Sequence, residues 1–335
     1  MSGRTLRWMA SLLHHHGRTG RPRLTIIRHH RVYADGERPL YRLGVSERVL
    51  RAQLELLVRL GHRPLSVGEG LARIDRGEPG HWVAMSFDDG YLDNVTRALP
   101  LLESCGAHAT LFLAAGLIEE RRAPWWDVLA TMLGRTRRPL LRGEWGGRAL
   151  ALPLDTPEGR GRAMRALMPA LRVTPERQRD RLEAIAQALD VPAAAACELG
   201  DWEALAAWRE AGMEIGAHTM THPFLSLLPS PRQREEITGS VTLIRERLQV
   251  QPAGFAYPNG DYDATCVCIV AGSGLRYAVT TRGGDNVRST PRFELRRRGL
   301  SEGACLGPDG RFSPSLATAE LDGAFDRVRG LEALS

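Results

Sequence analysis

Along the chain, short apolar runs rich in β-branched and aromatic residues alternate with longer segments whose apolar positions recur at helical spacing. The short runs predict strands at 24–32, 82–88, 108–114, 214–218, 254–258, 277–281 and 294–300. Between them, helices are predicted at 46–60, 92–105, 202–211, 231–248 and 264–271. In the first helix, Val49, Leu50, Leu54, Leu57, Val58 and Leu60 recur at roughly three- and four-residue steps and share one face. Strands that alternate with helices imply an α/β fold with mainly parallel strands, because a parallel crossover needs a helix-length connection. One stretch breaks the rhythm. Residues 121–200 are rich in Arg, Ala and Leu, with Pro at 124, 139, 153, 157, 169, 175 and 192, and predict a mostly helical insertion.

Composition narrows the class. The 335 residues suit one large domain or two ordinary ones, and 43% hydrophobic with 25% charged is ample for a core. The net charge is +6, and all 45 basic residues are arginine. Without lysine, Schiff-base catalysis and the phosphate-binding P-loop are excluded. Cys105, Cys197, Cys266, Cys268 and Cys305 are too scattered for a disulfide scaffold, and the Cys266–Cys268 offset does not match zinc or redox spacing. A reducing compartment is the simpler reading. No run approaches about eighteen apolar residues, so no membrane span is expected. Residues 1–23 are basic and are broken by His14, His15, His16 and Gly17 where a signal peptide needs a longer apolar run. They read as a flexible leader on a cytoplasmic protein, and the three histidines as a solvated tail or an adventitious metal binder.

Three polar clusters carry the chemistry, each where a predicted strand ends. They are Ser86-Phe87-Asp88-Asp89-Gly90, His218-Thr219-Met220-Thr221-His222-Pro223 and Phe255-Ala256-Tyr257-Pro258-Asn259-Gly260. In parallel α/β folds the loops at carboxyl strand ends converge over one face, so distant clusters can meet. Taken singly, each has a bland alternative. Paired aspartates before Gly form a turn or a helix cap, Tyr-Pro-Asn-Gly forms a turn, and two histidines four apart share a face only if the segment is helical. Together they offer carboxylates and two imidazoles, the donor set of a catalytic metal site with open positions.

In order, Ser-Phe-Asp-Asp-Gly, His-Thr-x-x-His and Phe-Ala-Tyr-Pro-x-Gly resemble the motifs of the polysaccharide deacetylases of carbohydrate esterase family 4, the NodB-homology domain. The resemblance covers 24–118 and 202–300. It implies a distorted (β/α) barrel of about seven parallel strands spanning 24–120 and 201–302, with the insertion at 121–200 and a C-terminal tail at 303–335 that includes a helix. It also implies a hydrolase that removes N-acetyl groups from an amino-sugar glycan or glycolipid, in the assembly of a surface polysaccharide. By resemblance, Asp89, His218 and His222 hold one divalent ion, zinc, with Co2+, Ni2+ or Fe2+ as alternatives. Asp88 is the general base, and Tyr257, Pro258 and Asn259 form the loop that meets substrate, with the Asn259 N–H facing the oxyanion. The general-acid histidine usual near the C-terminus is missing from 294–300. Instead, Arg28-His29-His30-Arg31-Val32 resembles the early strand of members whose motifs are circularly permuted, which makes His30 the acid. Alternation puts His30 and Arg28 on one face and His29 on the other, and the permuted arrangement places His30 across the metal from Asp88.

Departures from the family pattern leave matters open. Many members carry an arginine at the opening of the third motif that orients the base; here the residue is Phe255, so the partner of Asp88 is unassigned. Arg296-Arg297-Arg298 could face an anionic glycan or lipid headgroup, or merely solvent. Trp125 and Trp126 could stack on sugar rings or anchor the insertion. An amidase on a non-sugar substrate and a non-catalytic sugar-binding relative are the rival readings. Nucleic-acid binding is disfavoured, because the arginines are interleaved with acids and no recognition motif is present.

Overall fold

The computed structural model describes residues 3–14, 20–37, 39–41 and 43–326. Its centre is a seven-stranded parallel sheet that curls into an open half-barrel. The strands are β1 (Arg23–His29), β2 (His81–Phe87), β3 (Thr110–Leu113), β4 (Glu214–Ala217), β5 (Gly254–Ala256), β6 (Tyr277–Val279) and β7 (Arg298–Gly299), in spatial order β6-β5-β4-β3-β2-β1-β7. Every expected strand is therefore in the sheet, but the last is short. Of 294–300 only Arg298 and Gly299 pair along β1, while Leu295 makes a single bridge to Val279. Strand β1 stops at His29, and Arg31–Tyr33 turns away to pair with Gly44–Ser46.

The two-residue period of the strands separates two apolar layers. Val83, Met85 and Phe87 of β2 face an outer layer with Ile27, Leu111, Leu113 and Phe255. Leu24, Ile26, Ala84, Phe112, Ala256 and Val279 face inward and form a second cluster. Helix α3 (Val67–Asp75) closes the lower end of this lumen with Val67, Leu71 and Ile74. Continuing the same alternation upward brings Arg28, Ser86 and Asp88 to the inner face. The lumen is thus greasy at the amino ends of the strands and polar at the carboxyl ends. Amphipathic helices α2 (Glu47–Arg59), α7 (Trp202–Glu210), α8 (Ser230–Leu248) and α9 (Ala264–Ala271) contribute to the outer layer, close to their expected bounds.

The segment 121–200 has its own core, built on Trp125, Leu129, Leu133, Leu141, Leu167, Leu182 and Ile185. Helices α4 (Trp125–Arg135), α5 (Pro157–Leu167) and α6 (Pro175–Leu189) match the helical expectation. A β-hairpin, Leu140–Trp145 with Arg148–Pro153, does not. Its turn is Gly146-Gly147, both at positive φ, the two-residue geometry that suits right-twisted antiparallel strands.

The leader is not wholly flexible. Residues Gly3–Leu12 form helix α1, which docks near α10 (Pro314–Leu321). Arg7 donates to Glu320, the Ser11 and Ser315 hydroxyls lie 3.1 Å apart, and His14 Nε2 is 2.8 Å from Asp322 Oδ2. His14 is thus engaged by a carboxylate rather than solvated; His15 and His16 lie outside the described residues.

Candidate active site

The three clusters meet at the carboxyl end of the sheet. They line one pocket of about 300 Å³ whose walls include Arg28, His30, Tyr41, Asp88, Asp89, Trp126, His218, His222 and Asn259. Each side chain is delivered by a short break from regular structure. Asp88 follows β2, and Asp89 then takes φ 78° before Gly90 at φ 89°, which swings the second carboxylate back over the strand ends. A non-glycine residue in this region costs about 1–2 kcal/mol, a strain that persists where the surroundings over-determine it.

The two histidines share a face without a helix. β4 ends at Ala217, and Thr219 and His222 both adopt positive φ, so a tight loop presents His218 and His222 with ring centres 4.8 Å apart. Glu236 of α8 pins this loop. It accepts from the Met220 and Thr221 amides at 2.9 and 2.8 Å and from the Thr221 hydroxyl at 2.6 Å. Thr219 Oγ1 accepts from the His222 amide at 3.0 Å.

Asp89, His218 and His222 are all buried, and one donor atom from each lies within 4.8 Å of the others. His218 Nδ1 donates to the Ala256 carbonyl at 2.6 Å, which fixes its tautomer and aims Nε2 at Asp89 Oδ1, 3.5 Å away. His222 Nε2 is 3.7 Å from the same oxygen. Both Asp89 oxygens are buried without a hydrogen-bond partner. A carboxylate left that way costs several kcal/mol, so the site needs a cation. Two imidazole nitrogens and one carboxylate oxygen are the donor set that suits a divalent transition ion with positions left open. Burial and the neighbouring His218 push His222 down to about 3, so it stands neutral, as a ligand must. For His218, burial works downward, but the nearby Asp89 carboxylate and the charge of Asp88 leave the net shift upward.

Asp88 has a partner that the sequence reading left unassigned. Arg297, only 2% exposed, clamps it through two parallel bonds, Nη1 to Oδ1 at 2.6 Å and Nη2 to Oδ2 at 2.8 Å. The guanidinium lies over the Phe112 ring at 5.7 Å, and its Nε donates to the Thr280 carbonyl at 2.9 Å. Burial alone would raise the Asp88 carboxyl; Arg297, with His218 and His30, outweighs it and holds the group well below the usual carboxylate range. The arginine run is therefore not a solvated strand. Arg297 is in the lumen, Arg298 is buried against Asp285 and Asp326, and Arg296 alone is exposed.

His30 lines the pocket with Arg28, as alternation requires, while His29 turns outward against Phe87. Its position differs from the expectation in one respect. His30 Nε2 is 3.8 Å from Asp88 Oδ2, beside the carboxylate rather than across the site from it. The reason is register: His29 pairs with Phe87, so the next residues on β1 and β2 are neighbours. Burial pushes His30 down to about 3 against the raising effect of Asp88.

Within the third cluster, Asn259 takes φ 55° and lines the pocket. Tyr257 contributes to the wall, but its hydroxyl donates away to the Phe293 carbonyl at 3.1 Å and its ring stacks on Tyr262. Pro258 is buried in the turn behind. Trp126 meets His222 edge-on at 4.4 Å, and its Nε1 donates to Tyr91 at 2.8 Å, whose hydroxyl donates to Asp127 at 2.9 Å. The insertion thus buttresses a candidate ligand through its tryptophan.

Comparison with known proteins adds the following. A family model described as polysaccharide deacetylase matches residues 75–139 and 164–278. An uncharacterized protein of Streptomyces coelicolor is 37% identical over 78 residues, so the chain spans 31% of the curated relative that it matches. Among solved structures, Streptococcus pyogenes deacetylase PplD in complex with acetate aligns at TM-score 0.57 and 18% identity, over 87% of this chain and 96% of that one. IcaB from Ammonifex degensii aligns at TM-score 0.56 and 20% identity, over 90% of this chain and 97% of that one. At these identities the structural likeness concerns the fold.

Proposed function

Because the chain belongs to the polysaccharide deacetylase family, whose members are hydrolases acting on C–N bonds, we propose that it removes N-acetyl groups from an amino-sugar glycan or glycolipid used in a surface polysaccharide. The observation that carries this reading is the buried Asp89 carboxylate, unpartnered and facing two imidazoles, next to a second carboxylate clamped by arginine. Asp89, His218 and His222 would hold one divalent ion, for which we propose zinc. When bound, the ion supplies Lewis acidity to water and to the amide carbonyl.

The remaining steps belong to the chain. Asp88, ionised and fixed by Arg297, accepts the proton of the attacking water on one of its oxygens. The Asn259 amide donates to the oxyanion that develops as the carbonyl carbon becomes tetrahedral. His30, neutral and 3.8 Å from Asp88, receives that proton and delivers it to the departing nitrogen. One proton thus travels from water to the amine nitrogen while the C–N bond breaks, leaving the free amine and acetic acid, which then ionises to acetate. A sugar-binding protein without catalysis would gain nothing from holding a buried Asp88 charged.

The test uses N-acetylglucosamine oligomers, acetate release and mass spectrometry on protein of known metal content. Release that needs about one divalent ion per chain and stops on chelation supports the reading. Full release by the metal-free protein overturns it.

A further inference from the structure

Arg28 is the charged residue of the pocket that the reaction leaves without work. It sits near the end of β1, opposite Ser86 of β2 on one side and Gly299 of β7 on the other, and its side chain lines the same wall as His30. The fold supplies carboxylates for the other arginines packed around β1. Arg297 has Asp88, Arg298 has Asp285 and Asp326, Arg31 has Asp93 and Glu198, and Arg23 has Asp285. The Arg28 side chain makes no hydrogen bond or ion pair with any described residue.

Neither carboxylate of the pocket lies within ion-pair distance of it. Both oxygens of Asp88 are taken by Arg297, and Asp89 faces the two histidines. Burial and the like charge of Arg297 act together on Arg28 and push it down to about 10, with Asp88, Tyr41 and Asp89 only partly compensating. Five donors in a rigid fork, half-buried beside another cation, are poorly served by the wall around them. An oxyanion carried by the ligand matches that fork in shape and charge, whereas a neutral sugar leaves it unmatched.

We infer that Arg28 recognises an anionic substituent, a phosphate or a carboxylate, on the sugar unit presented to this site, so that the preferred substrate is a negatively charged N-acetylated amino sugar. This rests on the deacetylase reading above and narrows its substrate class.

The experiment compares the metal-loaded enzyme on three N-acetylglucosamine-type ligands: the neutral methyl glycoside, the 1-phosphate methyl ester and an N-acetylamino uronic acid. The wild-type ratio of kcat/KM, charged over neutral, is expected to be about 10 to 100, the range of a hydrogen-bonded charge pair. In Arg28→Gln that ratio falls towards one, and Arg28→Lys recovers part of it. A preference for the phosphate ester alone or the uronate alone identifies the source of the oxyanion. A wild-type ratio near or below one, or a ratio unchanged in Arg28→Gln, overturns the inference. Calorimetry with the corresponding free amino sugars, which carry no acetyl group, separates the two readings. Arg28-dependent preference for the charged amine with no deacetylation of any ligand sinks the deacetylase reading alone. Deacetylation without charge preference sinks this inference alone.

Discussion

Replacing Arg297 with methionine removes the clamp on Asp88 while keeping a long apolar stem over Phe112. The arginine and its carboxylate are each 2% exposed and joined by two short bonds, so the variant strands a buried charge rather than merely losing an exposed pair. Breaking a buried ion pair from one side costs about 3–5 kcal/mol. The pH dependence follows from the direction of the shifts. In the wild type Asp88 is depressed below its ordinary 3.8, so its contribution is present above that value and is lost as the pH falls through the lower folded value. In the variant burial dominates and the folded value lies above 3.8, so the folded state binds a proton that the unfolded state does not, and stability falls as the pH rises towards that value. The gap between the two proteins therefore widens from acid to alkaline pH. Urea unfolding in chelator at pH 4.5 and pH 8 is expected to give a smaller difference at the lower pH than at the higher, where it reaches about 3–5 kcal/mol. A gap equal at both pH values, or below about 1 kcal/mol at pH 8, would refute the assignment of Arg297 as the partner that keeps Asp88 charged.

Three further outcomes are expected. Adding zinc to the metal-free protein at a hundredfold excess over its dissociation constant should stabilise it by about 2.7 kcal/mol in a thermal melt; Asp89→Asn should abolish most of that gain, whereas Asp88→Asn should retain it and instead cut turnover by about 10² to 10⁴. His30→Ala should keep fold and metal but lose most activity on amides, with substrates of good leaving ability largely spared; equal loss on both would remove the proton-delivery role. Tyr91→Phe strips the hydroxyl shared by Trp126 and Asp127, and should cost about 1–3 kcal/mol in chemical unfolding, as expected when buried polar partners are orphaned.

The sheet was legible because its strands are buried on both faces. Runs such as Leu24-Thr25-Ile26-Ile27 and Thr110-Leu111-Phe112-Leu113 leave no competing helical reading, and helices flank them at regular intervals. The candidate metal triad was legible for a different reason: its residues lie on the loops that leave two strand ends, where parallel topology fixes the direction of travel. What alternation could not supply was the backbone of the ligand loop. The helical face imagined for His218 and His222 is a non-helical turn held by Glu236, a residue that looks like ordinary helix surface in the sequence. The hairpin of the insertion did leave a signal, Gly146-Gly147 between Trp145 and Arg148, but the surrounding Arg, Ala and Leu content outweighed it.

The clamp on Asp88 shows why a site can be only half visible along a chain. The position expected to carry the orienting arginine, Phe255, faces the outer layer, and the inward-facing residue beside it is Ala256, which is too short to reach anything. A buried carboxylate still has to be paired, and that demand is set in space, not in sequence order. Strand β7 sits beside β1, and β1 beside β2, so a side chain more than two hundred residues from Asp88 crosses the lumen to meet it. Arg297 lies beyond the family-matched residues, within a run of three arginines whose composition alone reads as surface. Once that pair is recognised, Arg28 changes meaning as well. Two guanidiniums enter the upper lumen and, among the described residues, only Arg297 is paired with a carboxylate, so the second finds its counter-charge in what binds there.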